Sequence, residues 1–183
     1  MTKQKRFCIL TIGKTHSGKS TFARKLEQIC SNCVVIDQDI HAEFLQSTYP
    51  KLVPADGENL IKYALSETIV QYAMLHTNLH LILCNANLSD EGRDALMKRI
   101  TKEGFEVIIV KFDIPYEVLK ERVRTSNRDA TILRTIDSYE DLLERQKKLI
   151  LPENLDRLHQ EFVVRCEKDV AGVIQSIKRL LEG

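Results

Sequence analysis

Eight residues near the N-terminus combine glycine, lysine and serine at a spacing that suits phosphate binding. They read Gly13-Lys14-Thr15-His16-Ser17-Gly18-Lys19-Ser20 and are followed by Thr21. Glycines let backbone N–H groups curl around phosphate oxygens, and the helix that follows adds its positive N-terminal dipole. In a full P-loop pattern of this kind Lys19 reaches the β- and γ-phosphates and the Ser20 hydroxyl binds magnesium. Residues 13–21 are therefore predicted to bind ATP with Mg²⁺.

Two carboxylates, Asp37 and Asp39, follow the second apolar run of the chain. Transfer of a phosphoryl group to a hydroxyl needs an acid that orients the acceptor and takes its proton, and we predict this role for Asp39. We expect Asp37 to hold magnesium through water, together with Ser20. The alternative interpretation is that Asp37 or Asp39 caps the next helix.

Amides stand at the end of the third apolar run, at Asn85 and Asn87. Many P-loop enzymes place an acid here to hold the metal, whereas Asn85 offers a carbonyl without charge. This difference makes Asp37 the predicted carboxylate on the metal side. Two interpretations of Asn87 stay open, a contact with the substrate and a role in shaping the loop.

Arginines precede and enter a polar, weakly helical segment at residues 125–131. Arginines on a mobile segment can stabilise charge on a phosphoryl group in transfer, and we predict this catalytic role for Arg128 and Arg124. Arg122 is more simply interpreted as a solvated charge on a helix face. The sequence thus predicts a lid at about residues 124–135.

Short apolar runs alternate with longer helical patterns, which indicates an α/β fold. The runs are rich in Val, Ile and Leu without polar alternation, as in parallel strands buried on both faces. Ligands bind such sheets at the carboxyl ends of the strands, where the polar residues above fall. The predicted strands are Phe7–Ile12, Cys33–Ile36, His80–Cys84, Glu106–Phe112 and Glu161–Cys166, and the predicted helices are Lys19–Cys30, Ile40–Gln46, Gly57–His76, Ser89–Glu103, Pro115–Thr125, Ile136–Leu149 and Glu167–Leu181.

Three further expectations concern single side chains. Ser89 is a good N-cap for the helix that follows it, and Asp113 is predicted to cap the helix whose first turn contains Pro115. We expect His16 to point to solvent, with a reach over the phosphates as the alternative.

Composition limits the kind of protein further. The 183 residues suit one domain, 1–183, and a formal net charge of +1 excludes a global basic field that would capture nucleic acid or an anionic membrane. No apolar run approaches the ~18 residues of a membrane helix. The five cysteines are an odd number, and Cys8, Cys84 and Cys166 lie in apolar runs, which predicts buried, reduced thiols and a cytoplasmic location. The CxxC at Cys30 and Cys33 is interpreted as part of a loop, since no second pair accompanies it.

Four stretches resemble the small P-loop kinases, and most closely the kinase domain of phage polynucleotide kinase. They are Ile9–Gly13, Ser17–Arg24, Asn87–Arg93 and Val110–Pro115. The resemblance spans roughly residues 7–149. It implies a P-loop NTPase fold of the nucleoside-monophosphate-kinase type, with a five-stranded parallel sheet, helices on both faces and an arginine-bearing lid.

The same resemblance implies roles for individual residues. Asp39 falls where the family carries its general base, and Arg124 and Arg128 match the spacing of its lid arginines. Two positions depart from the pattern, since Asn85 stands where Asp is usual and Ala42 replaces an arginine beside the expected substrate phosphate. The Asp-x-Asp pair also resembles shikimate and gluconate kinases, which phosphorylate small alcohols.

The sequence therefore predicts an ATP- and magnesium-dependent kinase with a hydroxyl acceptor. Two acceptor classes stay open, a polynucleotide or nucleotide 5′-hydroxyl and a small alcohol such as a nucleoside or sugar acid. Asp39 and Asn87 are the predicted contacts with this substrate. A second hypothesis, favoured by Asn85, is an ATP-binding regulatory module or slow ATPase without an acceptor.

Overall fold

The centre of the structure, a computed structural model that describes residues 5–128, 130–133, 136–149, 151 and 159–183, is a parallel five-stranded sheet. Its strand order is β2-β3-β1-β4-β5, and all four neighbouring pairs are parallel. The predicted sheet is confirmed with small shifts at the strand ends. The strands are β1 (Arg6–Gly13), β2 (Cys33–Asp37), β3 (His80–Cys84), β4 (Phe105–Phe112) and β5 (Gln160–Val164).

Helices connect successive strands, and each predicted helix is present. None of those in the described part of the chain is long and apolar enough to cross a membrane. Within the predicted lid, residues 129, 134 and 135 lie outside the described residues, and Ala130–Ile132 forms a short 3₁₀ turn. The helices are α1 (Lys19–Ile29), α2 (Gln38–Thr48), α3 (Leu60–His76), α4 (Asp90–Lys102), α5 (Tyr116–Arg124), α6 (Tyr139–Lys147) and α7 (Glu167–Glu182).

Successive residues of β1 point to opposite faces of the sheet, and both faces are covered. Phe7 and Ile9 pack in a cluster with buried residues of α1, α5, α6 and α7. Cys8, Leu10 and Ile12 pack in a second cluster with buried residues of α3 and α4. Burial on both faces explains why the strands are unbroken apolar runs in the sequence.

Ser89 caps α4 as predicted, but two local predictions are wrong. Pro115 holds the N-cap position of α5, while Asp113 is exposed and lies 3.6 Å from the guanidinium of Arg165. The residue before a proline is disfavoured in the helical region, so Ile114 cannot begin a helix after Asp113, and Pro115 itself has an extended ψ of 139°. Cys166 is exposed at the N-cap of α7, because β5 ends two residues earlier than predicted.

The carboxyl ends of β1, β2 and β3 lie at the same edge of the sheet. Gly13, Asp37 and Cys84 are the last residues of these strands. The connection after β3 is tied to β1, since Gly13 N donates to Ala86 O at 3.0 Å and Thr11 Oγ1 donates to Asn85 O at 3.0 Å. The polar residues that follow these strands in the sequence are therefore neighbours in space.

At the opposite edge, a buried histidine joins β3 to β1. Phe7 N donates to His80 Nδ1 at 3.0 Å, and His80 is buried. Only a neutral imidazole can accept this bond. Burial, and then the nearby charge of Arg6, lowers the pKa of His80 below its usual 6.5.

Acid should therefore weaken the fold through His80. In the unfolded chain His80 binds a proton near pH 6.5, whereas in the folded chain it stays neutral to lower pH. The free energy of unfolding should therefore fall as the pH drops below about 6.5. His80→Asn offers a non-titrating oxygen near the position of Nδ1 and should reduce this dependence. Urea unfolding of both proteins at about pH 7.5 and about pH 5.5 measures the difference. An equal loss in the two proteins would contradict the assignment.

Candidate active site

The glycine-rich loop lies between β1 and α1. A Cβ added to Gly13 would lie 2.8 Å from Phe112 Cβ and 2.9 Å from Ser17 Oγ, so only glycine fits against β4. Gly18 has a φ of 99°, in the left-handed region that favours glycine, and is the N-cap of α1. The first N–H groups of α1 have no partner within the helix and are available to an anion.

The side chain of Lys19 lies along the same loop. Its Nζ donates to Lys14 O at 2.7 Å and to Ser17 Oγ at 3.3 Å. Desolvation lowers the pKa of Lys19 to about 8, against the attraction of the acidic groups around it. The amine therefore remains largely protonated at neutral pH, as contact with a triphosphate requires.

Asp37 connects the loop to α2. Ser20 Oγ donates to Asp37 Oδ2 at 2.8 Å, and Asp37 Oδ1 accepts from Asp39 N at 3.0 Å, which makes Asp37 the N-cap of α2. One of its oxygens thus caps a helix while the other lies beside a hydroxyl. Adjacent hydroxyl and carboxylate oxygens are hard donors of the kind that Mg²⁺ prefers, so these residues fit the predicted ion.

Asp39 contacts the predicted lid. Arg128 Nη2 donates to Asp39 Oδ2 at 2.9 Å, although 89 residues separate the two along the chain. The guanidinium of Arg128 also lies over the ring of Tyr139, 5.2 Å from its centroid. The structure therefore brings two of the predicted catalytic residues into contact.

The two arginines near the end of α5 face different surroundings. Arg124 is exposed and bonds to Glu121 on its own helix, at 3.0 and 2.8 Å. Arg122 donates from Nη1 to His16 O at 3.2 Å. Two positions along a helix differ by about 200° in direction, so only one of these residues can face the loop. The structure places Arg122 there, and not Arg124.

The two amides after β3 have different partners. Asn85 Oδ1 accepts from Gln38 N at 3.4 Å, at the start of α2. Asn87 Nδ2 donates to Thr11 O at 2.8 Å, and Asn87 has a φ of 48°. The side chain of Asn87 thus holds the connection against β1, which favours the loop-shaping interpretation.

The side chain of His16 packs against α6, so the prediction that it points to solvent is wrong. Its ring meets that of Tyr139 at a centroid distance of 4.9 Å, and its Nδ1 is 2.9 Å from Thr15 Oγ1. Desolvation, followed by the charges of Arg128 and Lys19, lowers the pKa of His16 to about 4. The imidazole is therefore neutral at physiological pH.

A cavity of about 740 Å³ joins these side chains. Its volume is in the range of small-molecule sites. Helix α6 also lines it, and the sequence did not single out its two polar lining residues, Tyr139 and Gln146. Their seven-residue spacing places both on one face of a predicted helix and was the available signal. The predicted residues that line the cavity include Lys19, Ser20, Asp37, Asp39, Asn85 and Arg128, whereas Arg124 and Asn87 do not line it.

Comparison with known proteins identifies a family. A family model described as an AAA domain matches residues 8–148, more than half of the chain. No curated protein matches the sequence.

Solved structures share the fold over nearly the whole chain. A candidate kinase from Chloroflexus aurantiacus J-10-fl is 18% identical with a TM-score of 0.70, covering 96% of this chain and 98% of the other. A gluconokinase from Sinorhizobium meliloti 1021 is 18% identical with a TM-score of 0.59, covering 97% and 96%. The Mycobacterium tuberculosis APS kinase CysC, in complex with AMPPNP and APS, is 18% identical with a TM-score of 0.58, covering 98% and 99%. These likenesses establish the P-loop α/β fold.

The reactivity of the Cys166 thiol can show whether nucleotide binds in this cavity. Cys166 is exposed and lines the cavity, whereas the other four cysteines are buried. Iodoacetamide should therefore alkylate Cys166 first in the folded protein, and ADP with Mg²⁺ should slow the reaction. Peptide mass spectrometry measures the rate at each cysteine, with the urea-unfolded chain as the control in which all five react. A Cys166 rate that nucleotide leaves unchanged would contradict a nucleotide site bordered by this residue.

Proposed function

Because the chain belongs to the AAA domain family and has the fold of P-loop kinases, we propose that it is a magnesium-dependent kinase. It transfers the γ-phosphoryl group of ATP to a hydroxyl of a small acceptor. The observation that carries this proposal is the contact of Asp39 with Arg128 in the cavity that contains the phosphate-binding loop. A kinase needs both groups at this point, a base for the acceptor hydroxyl and a cation for the moving phosphoryl group.

Binding of the triphosphate is supported by the start of α1. Its free N–H groups and Lys19 take the phosphate oxygens. Ser20 and Asp37 hold the magnesium ion, which neutralises charge on the phosphates when bound. Arg122 adds positive charge from a fixed place, since His16 O anchors its guanidinium. This assignment replaces Arg124 with Arg122 among the predicted arginines.

Asp39 takes the proton of the acceptor hydroxyl. Its Oδ2 accepts from Arg128 before substrates bind. Phosphate oxygens compete for the guanidinium, because arginine binds them through charge-assisted hydrogen bonds. When Arg128 turns to the phosphoryl group, Oδ2 becomes free for the hydroxyl. One arginine thus stabilises the transferring group and releases the base.

The charge of the chain favours a small acceptor over a nucleic-acid end. The formal net charge is only +1, so no strong positive field attracts a polyanion. A second cavity, of about 680 Å³, shares Gln38, Asn85 and Ala86 with the first and offers room beside the start of α2.

One observation favours a second candidate, an ATP-binding regulatory module or slow ATPase. Asn85 lies in the cavity directly after β3 and brings no negative charge to the metal side. Among the residues that the structure describes, Asp37 is then the carboxylate that contacts Ser20. A weakly held magnesium ion would slow the chemistry without preventing nucleotide binding.

Substitution of the base distinguishes the two candidates. Asp39→Asn should lower phosphoryl transfer by about 10²–10⁴-fold, since a positioned base contributes that much. It should leave ADP binding in place, whereas Lys19→Ala should weaken ADP binding sharply. Glu43→Gln removes a carboxylate one turn later on α2 and is the matched control, with transfer expected near the wild-type rate. Labelled ATP with a panel of nucleosides, sugar alcohols, sugar acids and 5′-hydroxyl oligonucleotides measures transfer, and calorimetry measures binding.

The panel also decides the acceptor class. Phosphorylation of oligonucleotide 5′ ends in preference to every small alcohol would contradict the small-acceptor proposal. If no acceptor stimulates ATP turnover and Asp39→Asn leaves that turnover unchanged, the kinase proposal is wrong and the second candidate stands.

A further inference from the structure

Helix α6 turns one face toward the phosphate-binding loop. Tyr139 and Gln146 lie about two turns apart and therefore on the same side of the helix. The ring of Tyr139 packs against His16, and Gln146 Oε1 accepts from Thr15 N at 2.6 Å. The helix thus contacts two successive residues in the middle of the loop.

The hydrogen bond from Thr15 to Gln146 is shielded from water, since Thr15 is 7% and Gln146 is 9% exposed. An N–H group left without an acceptor in such a place is costly, so the carboxamide and the backbone hold each other in position. Lys14 Nζ makes a second, longer contact with the same helix, at 3.5 Å from Lys147 O.

The loop has weak internal support at this point. His16 has a φ of 56°, an uncommon conformation for a residue with a side chain. A backbone hydrogen bond within the loop, from Ser17 N to Lys14 O, is long at 3.4 Å. Side chains of the loop add the contacts of Thr15 Oγ1 with His16 Nδ1 and of Lys19 Nζ with Lys14 O, but the bond to the backbone N–H of Thr15 comes from outside the loop.

We propose that Gln146 is a positioning residue for nucleotide binding. By holding Thr15 N, it keeps the loop in the conformation that turns the following backbone N–H groups, up to Ser20, toward the phosphates. The proposal rests on the nucleotide site of the proposed function and does not depend on any acceptor.

Competition between Gln146 and the nucleotide for Thr15 N would have the opposite effect on nucleotide binding. A carboxamide oxygen on Thr15 N occupies a donor that a phosphate oxygen could use. If Gln146 competed with the nucleotide in this way, its removal would tighten binding, whereas removal of a positioning contact weakens it.

Gln146→Met tests the proposal, because methionine has a similar length and no strong acceptor. Hydrogen exchange of the ligand-free protein should become faster at the Thr15 and His16 amides. The dissociation constant for ADP with Mg²⁺ should rise about 5–30-fold, as expected for the loss of one buried hydrogen bond. Exchange is measured by NMR or mass spectrometry, and ADP binding by calorimetry.

A destabilised variant of the same helix is the control. Leu143 is buried in the core on α6, and Leu143→Ala should lower the melting temperature at least as much as Gln146→Met. Well below that temperature its ADP affinity should stay within about twofold of the wild type, because the Thr15 bond is intact. An equal loss of affinity in both variants would show a general effect of stability and overturn the proposal.

The remaining outcomes are equally decisive. Tighter ADP binding by Gln146→Met would show that Gln146 competes with the nucleotide for Thr15 N. Unchanged ADP binding together with unchanged hydrogen exchange would show that Gln146 does not position the loop. Neither measurement needs an acceptor, so a protein that phosphorylates nothing would contradict the kinase proposal and leave this one standing. A wild-type protein that does not bind ADP would contradict both.

Discussion

The candidate site depends on one buried carboxylate. Asp37 is 4% exposed, and its two oxygens have separate partners, Ser20 at the start of α1 and the backbone of Asp39 at the start of α2. A carboxylate buried this deeply is tolerated because both oxygens are hydrogen-bonded. The two helices that carry the phosphate-binding and acceptor-side residues are therefore fixed to one another through the end of β2.

The pattern of apolar residues was sufficient to predict the sheet and its helices. Strands buried on both faces leave unbroken runs such as His80–Cys84, and the Ser89 cap and the glycine loop mark two helix starts directly. The ends of elements were less predictable, because a cap depends on which of several polar residues is in place. The N-cap of α5 shows this, since Pro115 takes a position for which Asp113 was the better candidate by residue type.

The directions of side chains in the site could not be predicted from the sequence. The sequence favoured Arg124 over Arg122, whereas the rotation of α5 against the sheet places Arg122 at His16. His16 itself looked exposed because its cover, Tyr139, lies more than a hundred residues later in the sequence. Contacts between distant segments decide such positions, whereas local patterns decide the elements.

Phe112 links the core to the loop in a similar way. Its ring packs edge-on against Phe22 of α1 with centroids 5.5 Å apart, and its Cβ lies where a side chain at Gly13 would otherwise be. The start of the phosphate-binding loop therefore packs against Phe112, which the aromatic contact with Phe22 holds in place. Core packing and the shape of the loop are not independent in this protein.

The contact between Arg128 and Asp39 is partly open to water, with the two side chains 37% and 48% exposed. Ion pairs with this much solvent contribute at most about 1 kcal/mol, which favours the paired state over the separated one by no more than about fivefold. Both states are thus populated at equilibrium. Ionic strength shifts their balance, because dissolved salt screens such a pair. Access to the acceptor side of the cavity is accordingly a property of the solution as well as of the fold.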